Sequence, residues 1–291
     1  MNLDHLRTLV AIVDEGSFEA GAHALGISPS AVSQRVRALE TAVGRVLLER
    51  STPARPTGAG ETLLRLARQQ EVLVAEARTE LEESPGRLAL GVAVNADSLA
   101  TWFGEVLREA AGWDDVVLRL RVDDQDHTRS MLRSGDVLAG VTSSAQPIAG
   151  CRSVPLGTMV YRPVCSRALA ERHRDGRGVR WGELPVVRFN AKDDLQSAHV
   201  ARSGAVSSVV HEVPASDAYA RAVFVGLGWG LLPEQQAAPE DLARHDLVLL
   251  PGKPAELALH WQVWNLGSAR LDRLTDAVVA VARGRLDQAA G

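Results

Sequence analysis

The sequence predicts an α/β protein in which three short helices and a small β-wing precede one long helix and a larger region of alternating strands and helices. Three observations lead to this expectation. Apolar residues recur every three or four positions in the first 43 residues, and Glu61–Glu83 contains neither glycine nor proline. From Leu88 onward, short apolar runs alternate with helical segments, as in α/β domains. The length of 291 residues fits about two domains.

The composition indicates a folded protein and excludes several classes. Hydrophobic residues make up 46% and charged residues 23% of the chain, so extended disorder is not expected. The net charge of −4 excludes a globally basic coat protein but allows a local basic patch. Cys151 and Cys165 are too few for a disulfide framework or a four-cysteine zinc site. Since no signal peptide and no apolar run of about 18 residues occurs, we expect a cytoplasmic protein without a membrane partner.

No pattern in the sequence points to catalysis, a metal or an organic cofactor. The histidines show no metal-ligand spacing, and no G-x-S-x-G nucleophile motif occurs. We therefore expect a protein that is not an enzyme and that holds no cofactor and no metal.

The first 43 residues read as three helices. The first helix ends at Gly16, and the second covers Phe18–Leu25. The connection GISP then places Ser28 as N-cap and Pro29 at the first helical position, and the third helix continues to about Val43. After it, a stretch rich in proline and glycine predicts a two-stranded wing.

The third helix is expected to present a polar face to DNA, because a single helix fits the major groove. Gln34 can pair with adenine and Arg37 with guanine. Between Ser28 and Thr57, five arginines stand against two glutamates, which predicts a basic patch. A generic helical domain with the same spacing is the alternative. The predicted DNA-binding residues are Ser28, Ser30, Ser33, Gln34, Arg37, Arg50, Arg55 and Thr57.

The long helix over about Glu61–Glu83 has a broad apolar stripe, formed by Leu63, Leu66, Ala67, Leu73, Val74, Ala77 and Leu81. An isolated helix cannot shield this stripe from water. We expect it to pack against the same helix of a second subunit, and packing onto its own domain is the alternative. SPG at Ser84–Gly86 predicts a domain boundary.

The remaining sequence predicts open, largely parallel sheets with ligands beyond the carboxyl ends of the strands. Strands are expected near Leu88–Val94, Val116–Val122, Val137–Val141, Val160–Val164, Val186–Phe189, Ser208–Val213, Gly230–Leu232, Leu247–Leu250 and Leu257–Trp264. Helices are expected near Leu99–Ala111, His127–Arg133, Ala168–Arg174, Asp194–Arg202, Asp217–Gly226 and Arg270–Arg285.

The run GSFEAGAHALGISPSAVSQRVRALETAVGRVLLERSTPARPTGAGETLL resembles the winged helix-turn-helix signature of LysR-type transcriptional regulators, and the size and the following α/β region match over the whole chain. The chain is most similar to the arginine- and lysine-responsive branch, the ArgP-like and LysG-like regulators, through VNADSLATWF at Val94–Phe103 and the later DD, TSS and VGLGWGLLP segments. Gly21 and Leu48 stand where the family often has alanine and an aromatic residue, which should affect packing more than DNA reading.

The resemblance implies a division into three parts. Residues 1–60 would form the winged helix-turn-helix DNA-binding domain, 61–86 the linker and dimerisation helix, and 87–291 the effector-binding regulatory domain. The regulatory domain would contain two Rossmann-like subdomains, related to periplasmic binding proteins, with an effector in the cleft between them. Subdomain I would cover 87–161 and 266–291, and subdomain II 162–265, with crossings near Tyr161–Pro163 and Val263–Leu266.

Loops that follow the strands are expected to line this cleft. Backbone N–H groups at 95–98 could receive an α-carboxylate, although Asp97 could be only a helix-start residue. Asp123 and Asp124 could pair with a cationic side chain, or could be a solvated strand end. The predicted effector-binding residues are Asn95, Ala96, Asp97, Ser98, Trp102, Asp123, Asp124, Thr142, Ser143, Asn190, Ser216 and Asp217.

Carboxylates at the expected cleft favour a basic amino acid as effector: lysine, arginine or, as a further candidate, histidine. The resemblance then implies a regulator of operator DNA that acts as homodimer or homotetramer with RNA polymerase. It would activate a gene for the export or handling of basic amino acids. The alternatives are a LysR-type regulator with a different small-molecule effector and a DNA-associated structural protein of low specificity.

Overall fold

The computed structural model describes residues 2–49, 51–81, 86–122, 125–176, 178–190 and 207–288, with backbone alone at 125–127 and at Asp175. The predicted helix at Asp194–Arg202 lies outside the described residues. The same holds for three predicted site residues, Arg50, Asp123 and Asp124.

The N-terminal head confirms the predicted helices and wing. It comprises α1 (Leu3–Glu15), α2 (Phe18–Leu25), α3 (Pro29–Val43) and an antiparallel pair, β1 (Leu48–Glu49) with β2 (Arg55–Pro56). Ser17 Oγ accepts from Ala20 N at 3.1 Å and Ser28 Oγ from Ala31 N at 3.2 Å, so both predicted N-caps are formed.

The apolar faces of these helices meet in one core. Its buried residues include Leu9, Ile12, Val32, Leu39 and Leu48. The glycine of α2 allows close packing, because a Cβ at Gly21 would lie 3.0 Å from the backbone nitrogen of Ile12.

Glu40 ties α3 to the start of the wing, because its Oε1 accepts from Leu47 N at 2.9 Å. We expect Glu40→Ala to lower the free energy of unfolding by about 1 kcal/mol, since the Leu47 N–H would lose its acceptor in a partly buried position. Glu40→Gln keeps an acceptor oxygen and should cost less. Urea unfolding of the full chain checks this, and equal stability of the alanine variant and the wild type would contradict it.

The long helix α4 (Gly58–Glu80) begins at its N-cap Thr57. Leu63, Leu64 and Ala67 pack into the core of the head, whereas Val72 belongs to the core of the regulatory region. Packing onto its own chain therefore accounts for part of the apolar stripe. The rest stays uncovered, since Leu73 is 46% and Leu81 70% exposed.

Charged contacts hold α4 against both of its neighbours. Arg68 binds Asp14 of α1 at 2.6 Å and also binds Asp136 of the regulatory region. Burial alone would lower the pKa of Arg68, but these two carboxylates raise it, so the guanidinium stays charged. Further along α4, Thr79 Oγ1 accepts from the buried Arg270 at 2.6 Å.

The regulatory region contains the remaining elements. Its helices are α5 (Ala96–Ala100), α6 (Phe103–Ala110), α7 (Gln125–Ser134), α8 (Arg167–Arg172), α9 (Ser216–Phe224), α10 (Pro239–Arg244) and α11 (Ala269–Arg285). Its strands are β3 (Leu88–Val94), β4 (Val116–Val122), β5 (Ala139–Thr142), β6 (Cys151–Ser166), β7 (Arg174–Asp175), β8 (Gly178–Val179), β9 (Val186–Arg188), β10 (Val210–Glu212), β11 (Gly230–Pro233), β12 (Leu247–Leu249) and β13 (Ala255–Trp264).

Among the described residues, seven strands form one sheet in the order β11-β6-β13-β5-β3-β4, with β12 also pairing with β6. The expectation of largely parallel sheets was wrong. In that sheet only β3 pairs in parallel, with β4 and β5, whereas the pairs made by β6 and β13 are antiparallel. The physical reason is the position of β13, which lies between β5 and β6 and pairs antiparallel with both, so these two strands, neighbours in sequence, do not pair with each other.

One helix prediction also needed correction, and one short helix was missed. The predicted helix Leu99–Ala111 is divided into α5 and α6 at Thr101, and the division lets Trp102 and Phe103 both be buried. The short helix α10 was not predicted. None of the described helices combines the length and apolarity that crossing a membrane requires.

The long strands β6 and β13 connect two groups of elements, one around β3, β4 and β5 and the other around β11, β12 and α9. One end of β13 pairs through Ala255 with Tyr161, and the other pairs through 260–263 with β5. A separate core beyond β6 includes Val187, Tyr219, Val223 and Leu232. These pairings favour a return crossing within β13, earlier than the expected Val263–Leu266. The expected subdomain boundaries stay a prediction.

Candidate DNA-reading face and effector cleft

The predicted DNA-reading face of α3 is open to solvent. Ser28, Ser30, Gln34, Arg37 and Arg55 are exposed, and Ser33 and Thr57 are half-buried. The inward face of the same helix carries the buried Val32, Val36 and Leu39. Because the polar side is not covered by its own protomer, α3 can approach a duplex.

All four predicted hydroxyls already take part in local hydrogen bonds. Ser28 caps α3, and its Oγ is also hydrogen-bonded to Ser30 Oγ at 2.9 Å. Ser33 Oγ donates to Pro29 O at 3.0 Å. Thr57 Oγ1 donates to Val46 O at 2.7 Å and accepts from Gly60 N at 3.1 Å, so it joins the wing to α4. These groups shape the head, and their contacts with DNA stay a prediction.

The basic patch is smaller than the charge count suggests. Arg35 is half-buried, and its Nη1 donates to Thr8 Oγ1 at 3.3 Å, so it links α3 to α1. The guanidinium groups of Arg37, Arg45 and Arg55 lie on exposed residues. Since no hydrogen bond or ion pair to another described residue holds them, these three cations can meet phosphates without losing an internal partner.

In the first predicted effector loop, the carboxylate of Asp97 contacts residues of β6 and α9. Asp97 lies at the start of α5, directly after β3. Its Oδ2 accepts from Tyr161 Oη of β6 at 2.9 Å, and its Oδ1 accepts from Ser216 Oγ of α9 at 3.0 Å. The predicted residues Asp97 and Ser216, 119 positions apart in sequence, are thus hydrogen-bonded.

Residues on either side of Asp97 in the sequence carry buried polar atoms that lack hydrogen-bond partners among the described residues. Asn95 Oδ1, Ser98 Oγ and Trp102 Nε1 are buried and have no hydrogen-bond partner within the described part of the chain. Buried polar atoms are normally hydrogen-bonded, so these atoms are candidates to meet a bound molecule. The set contains an amide acceptor, a hydroxyl and an indole donor, which suits a ligand with both donor and acceptor groups.

The other predicted effector residues occupy varied environments. Thr142 is buried and donates to Ser144 O at 3.1 Å, and Ser143 is half-buried. Asn190 is half-buried, and Asp217 is exposed beside Ser216. Ala96 is half-buried in α5. Their effector contacts stay a prediction.

Two residues that contact the predicted site were missed. Tyr161 was considered only as a crossing point and Gln262 not at all. Both side chains carry polar groups and are nevertheless buried, with exposures of 3% and 0%. A polar group at such a position is the signal that could have identified them.

The two thiols are predicted to be unreactive. Burial raises the pKa of Cys151 to about 11 and that of Cys165 to about 12. At pH 8 only about one Cys151 in a thousand would be thiolate, so we expect slow iodoacetamide alkylation of the native chain and rapid alkylation after unfolding. Mass spectrometry of timed samples measures this, and rapid native alkylation at pH 8 would contradict it. The described residues contain no group of three candidate metal ligands.

A helix-turn-helix head with an open polar face is joined here by a long helix to an α/β region in which buried polar atoms near Asp97 lack partners among the described residues. This arrangement is typical of a DNA-binding regulator controlled by a small molecule. Family models described as "Bacterial regulatory helix-turn-helix protein, lysR family" and "LysR substrate binding domain" match residues 3–61 and 81–287. The chain belongs to the LysR family of bacterial transcriptional regulators.

Relatives match over nearly their whole length. The lysine export transcriptional regulatory protein LysG of Corynebacterium efficiens is 50% identical, over 98% of this chain and 99% of that protein. Full-length LysG from Corynebacterium glutamicum with bound effector Arg is 46% identical, with a TM-score of 0.82, covering 99% of this chain and 100% of that one. ArgP from Mycobacterium tuberculosis is 41% identical with a TM-score of 0.88, covering 98% of both chains.

Proposed function

We propose that this chain is a transcriptional activator that binds operator DNA through α3 and the wing and responds to lysine or arginine in its regulatory cleft, with histidine as a further candidate. Its target is a gene for the export or handling of basic amino acids. The likeness to LysG, which is described as a lysine export regulator and as an arginine-bound structure, supports this proposal.

The Asp97 carboxylate supports this proposal most directly, because it accepts hydrogen bonds from Tyr161 and Ser216 on two different elements. An ammonium or guanidinium group can replace hydroxyl donors at a carboxylate and forms a stronger, charge-assisted bond. A cation held there contacts the elements on both sides at once, so its binding favours one arrangement of the subdomains over the other.

The regulator works as an assembly and without covalent chemistry. The exposed Leu73 and Leu81 of α4 supply apolar surface for the same helix of a second subunit, in a homodimer or homotetramer. The protein acts in the cytoplasm and contacts RNA polymerase at its promoter. It is not an enzyme, since its cleft serves to bind and release an unchanged effector.

Calorimetric titration of the full chain with lysine, arginine and histidine tests the effector class. Norleucine, which keeps the apolar chain of lysine without its cation, and glutamate are the matched control ligands. Binding of a basic amino acid without binding of either control is expected. Failure of all three basic amino acids would overturn the effector assignment and favour a LysR-type regulator with another ligand.

Footprinting at physiological salt tests the DNA assignment separately. A regulator protects one or a few sites, because base contacts discriminate among sequences. Uniform coating of the duplex would favour the structural DNA-associated protein instead.

A further inference from the structure

Gln262 is a fully buried amide whose hydrogen bonds all go to one loop. Its Nε2 donates to Ser144 O at 3.0 Å and to Gln146 O at 2.9 Å, with Thr142 Oγ1 at 3.4 Å. Its Oε1 accepts from Ile148 N at 3.2 Å. One side chain thus contacts four positions between the end of β5 and the start of β6.

This loop carries two of the predicted effector residues, Thr142 and Ser143. A second side chain also holds it, because Arg129 of α7 donates to Ser144 Oγ at 2.8 Å and to Gln146 O at 3.2 Å. Loops of this kind have backbone polar groups that water normally satisfies. Here protein groups satisfy them, so the shape of the loop is set by Gln262 and Arg129.

The chemistry at this position requires an amide. The two backbone carbonyls facing Nε2 need a donor, and the Ile148 N–H needs an acceptor. A carboxamide supplies both, whereas a carboxylate offers only acceptors and an apolar side chain offers neither. Leaving such buried groups unpaired costs more than the bonds themselves contribute.

Gln262 also lies on a strand that joins the two groups of regulatory elements. It pairs with Gly140 of β5, and the opposite end of β13 pairs with Tyr161, the residue that donates to Asp97. The loop after β5 is therefore held by a residue of β13, and the residue that donates to Asp97 lies on β6, the strand that pairs with β13.

We propose that Gln262 is a positioning residue of the effector site, which fixes the 142–148 loop in the conformation that receives the basic amino acid. This inference rests on the proposed function for the identity of the ligand. Its structural part, the fixing of the loop by one buried amide, is measurable without any ligand.

The test compares Gln262→Met, which keeps the length of the side chain without its polar atoms, with Thr275→Val. The control removes the hydroxyl that accepts from Trp261 Nε1 at 3.1 Å, a buried hydrogen bond of the neighbouring residue on β13. We expect Gln262→Met to weaken arginine binding about tenfold and Thr275→Val to leave arginine binding unchanged. The thermal midpoints of the two variants should be comparable. DNA affinity without arginine should be the same in both variants.

Amide hydrogen exchange supplies the second measurement. In the wild type, the Ile148 N–H should exchange slowly, and in Gln262→Met the 142–148 peptide should exchange about tenfold faster than in Thr275→Val. Rapid exchange of Ile148 in the wild type would overturn the inference even if the variant fails to fold. Unchanged arginine affinity in a folded Gln262→Met would also overturn it. If the wild type binds no basic amino acid, the effector assignment fails, and the exchange rates alone decide on Gln262.

Discussion

Replacing Asp97 by asparagine is expected to weaken arginine and lysine binding about a hundredfold, because a cationic side chain in the closed cleft would lose its carboxylate. The change keeps the size of the side chain and one acceptor oxygen, so the contacts from Tyr161 and Ser216 can partly persist. Calorimetric titration gives the affinities, and fluorescence anisotropy gives the DNA affinity without effector, which should not change.

Asp276→Asn is the matched control, since it makes the same chemical change at an exposed position of α11. Wild-type affinity is expected there. If Asp97→Asn binds arginine like the wild type whereas Asp123→Asn does not, the carboxylate that meets the cation has been assigned to the wrong loop.

The second large effect is expected for Gln34→Ala, which should reduce discrimination between cognate and random DNA by about 1 to 3 kcal/mol. Gln34 is exposed on α3, and its carboxamide can pair with an adenine edge in the major groove. Removing it should weaken cognate binding and leave random binding nearly unchanged. Equal losses on both duplexes would contradict a base-reading role.

Arg55→Ala provides the comparison, because this exposed arginine of the wing is expected to contact phosphate. Its loss should weaken binding to all sequences and reduce the slope of log K against log salt by about one. A change in sequence preference without a change in salt dependence would instead make Arg55 a base-reading residue.

The head could be predicted from sequence because its signals are local. Ser17 and Ser28 cap helices within three residues of their own positions, and the apolar spacing marks the inward face. The identity of α3 as the open helix followed from the same pattern.

The regulatory region was harder to predict because strand direction depends on distant partners. The pattern identified most strands, but not the full length of β6 or its antiparallel pairing with β13. Asp97 was predicted as an effector residue because it follows a strand and opens a helix, and that role stays a prediction. Its contact with Tyr161, 64 residues away, and the contact between Gln262 and Ile148, 114 residues apart, have no local signal.

We propose that one molecule reads a particular DNA sequence and changes that binding when a basic amino acid enters its cleft. Selection of bound sequences from a random duplex pool, carried out with and without arginine, measures both parts together. We predict enrichment of a defined motif, and a change with arginine in the affinity for that motif or in the bases that the protein protects. Binding without a motif would contradict this proposal, and so would a motif whose affinity and protection are the same with and without saturating arginine, lysine or histidine.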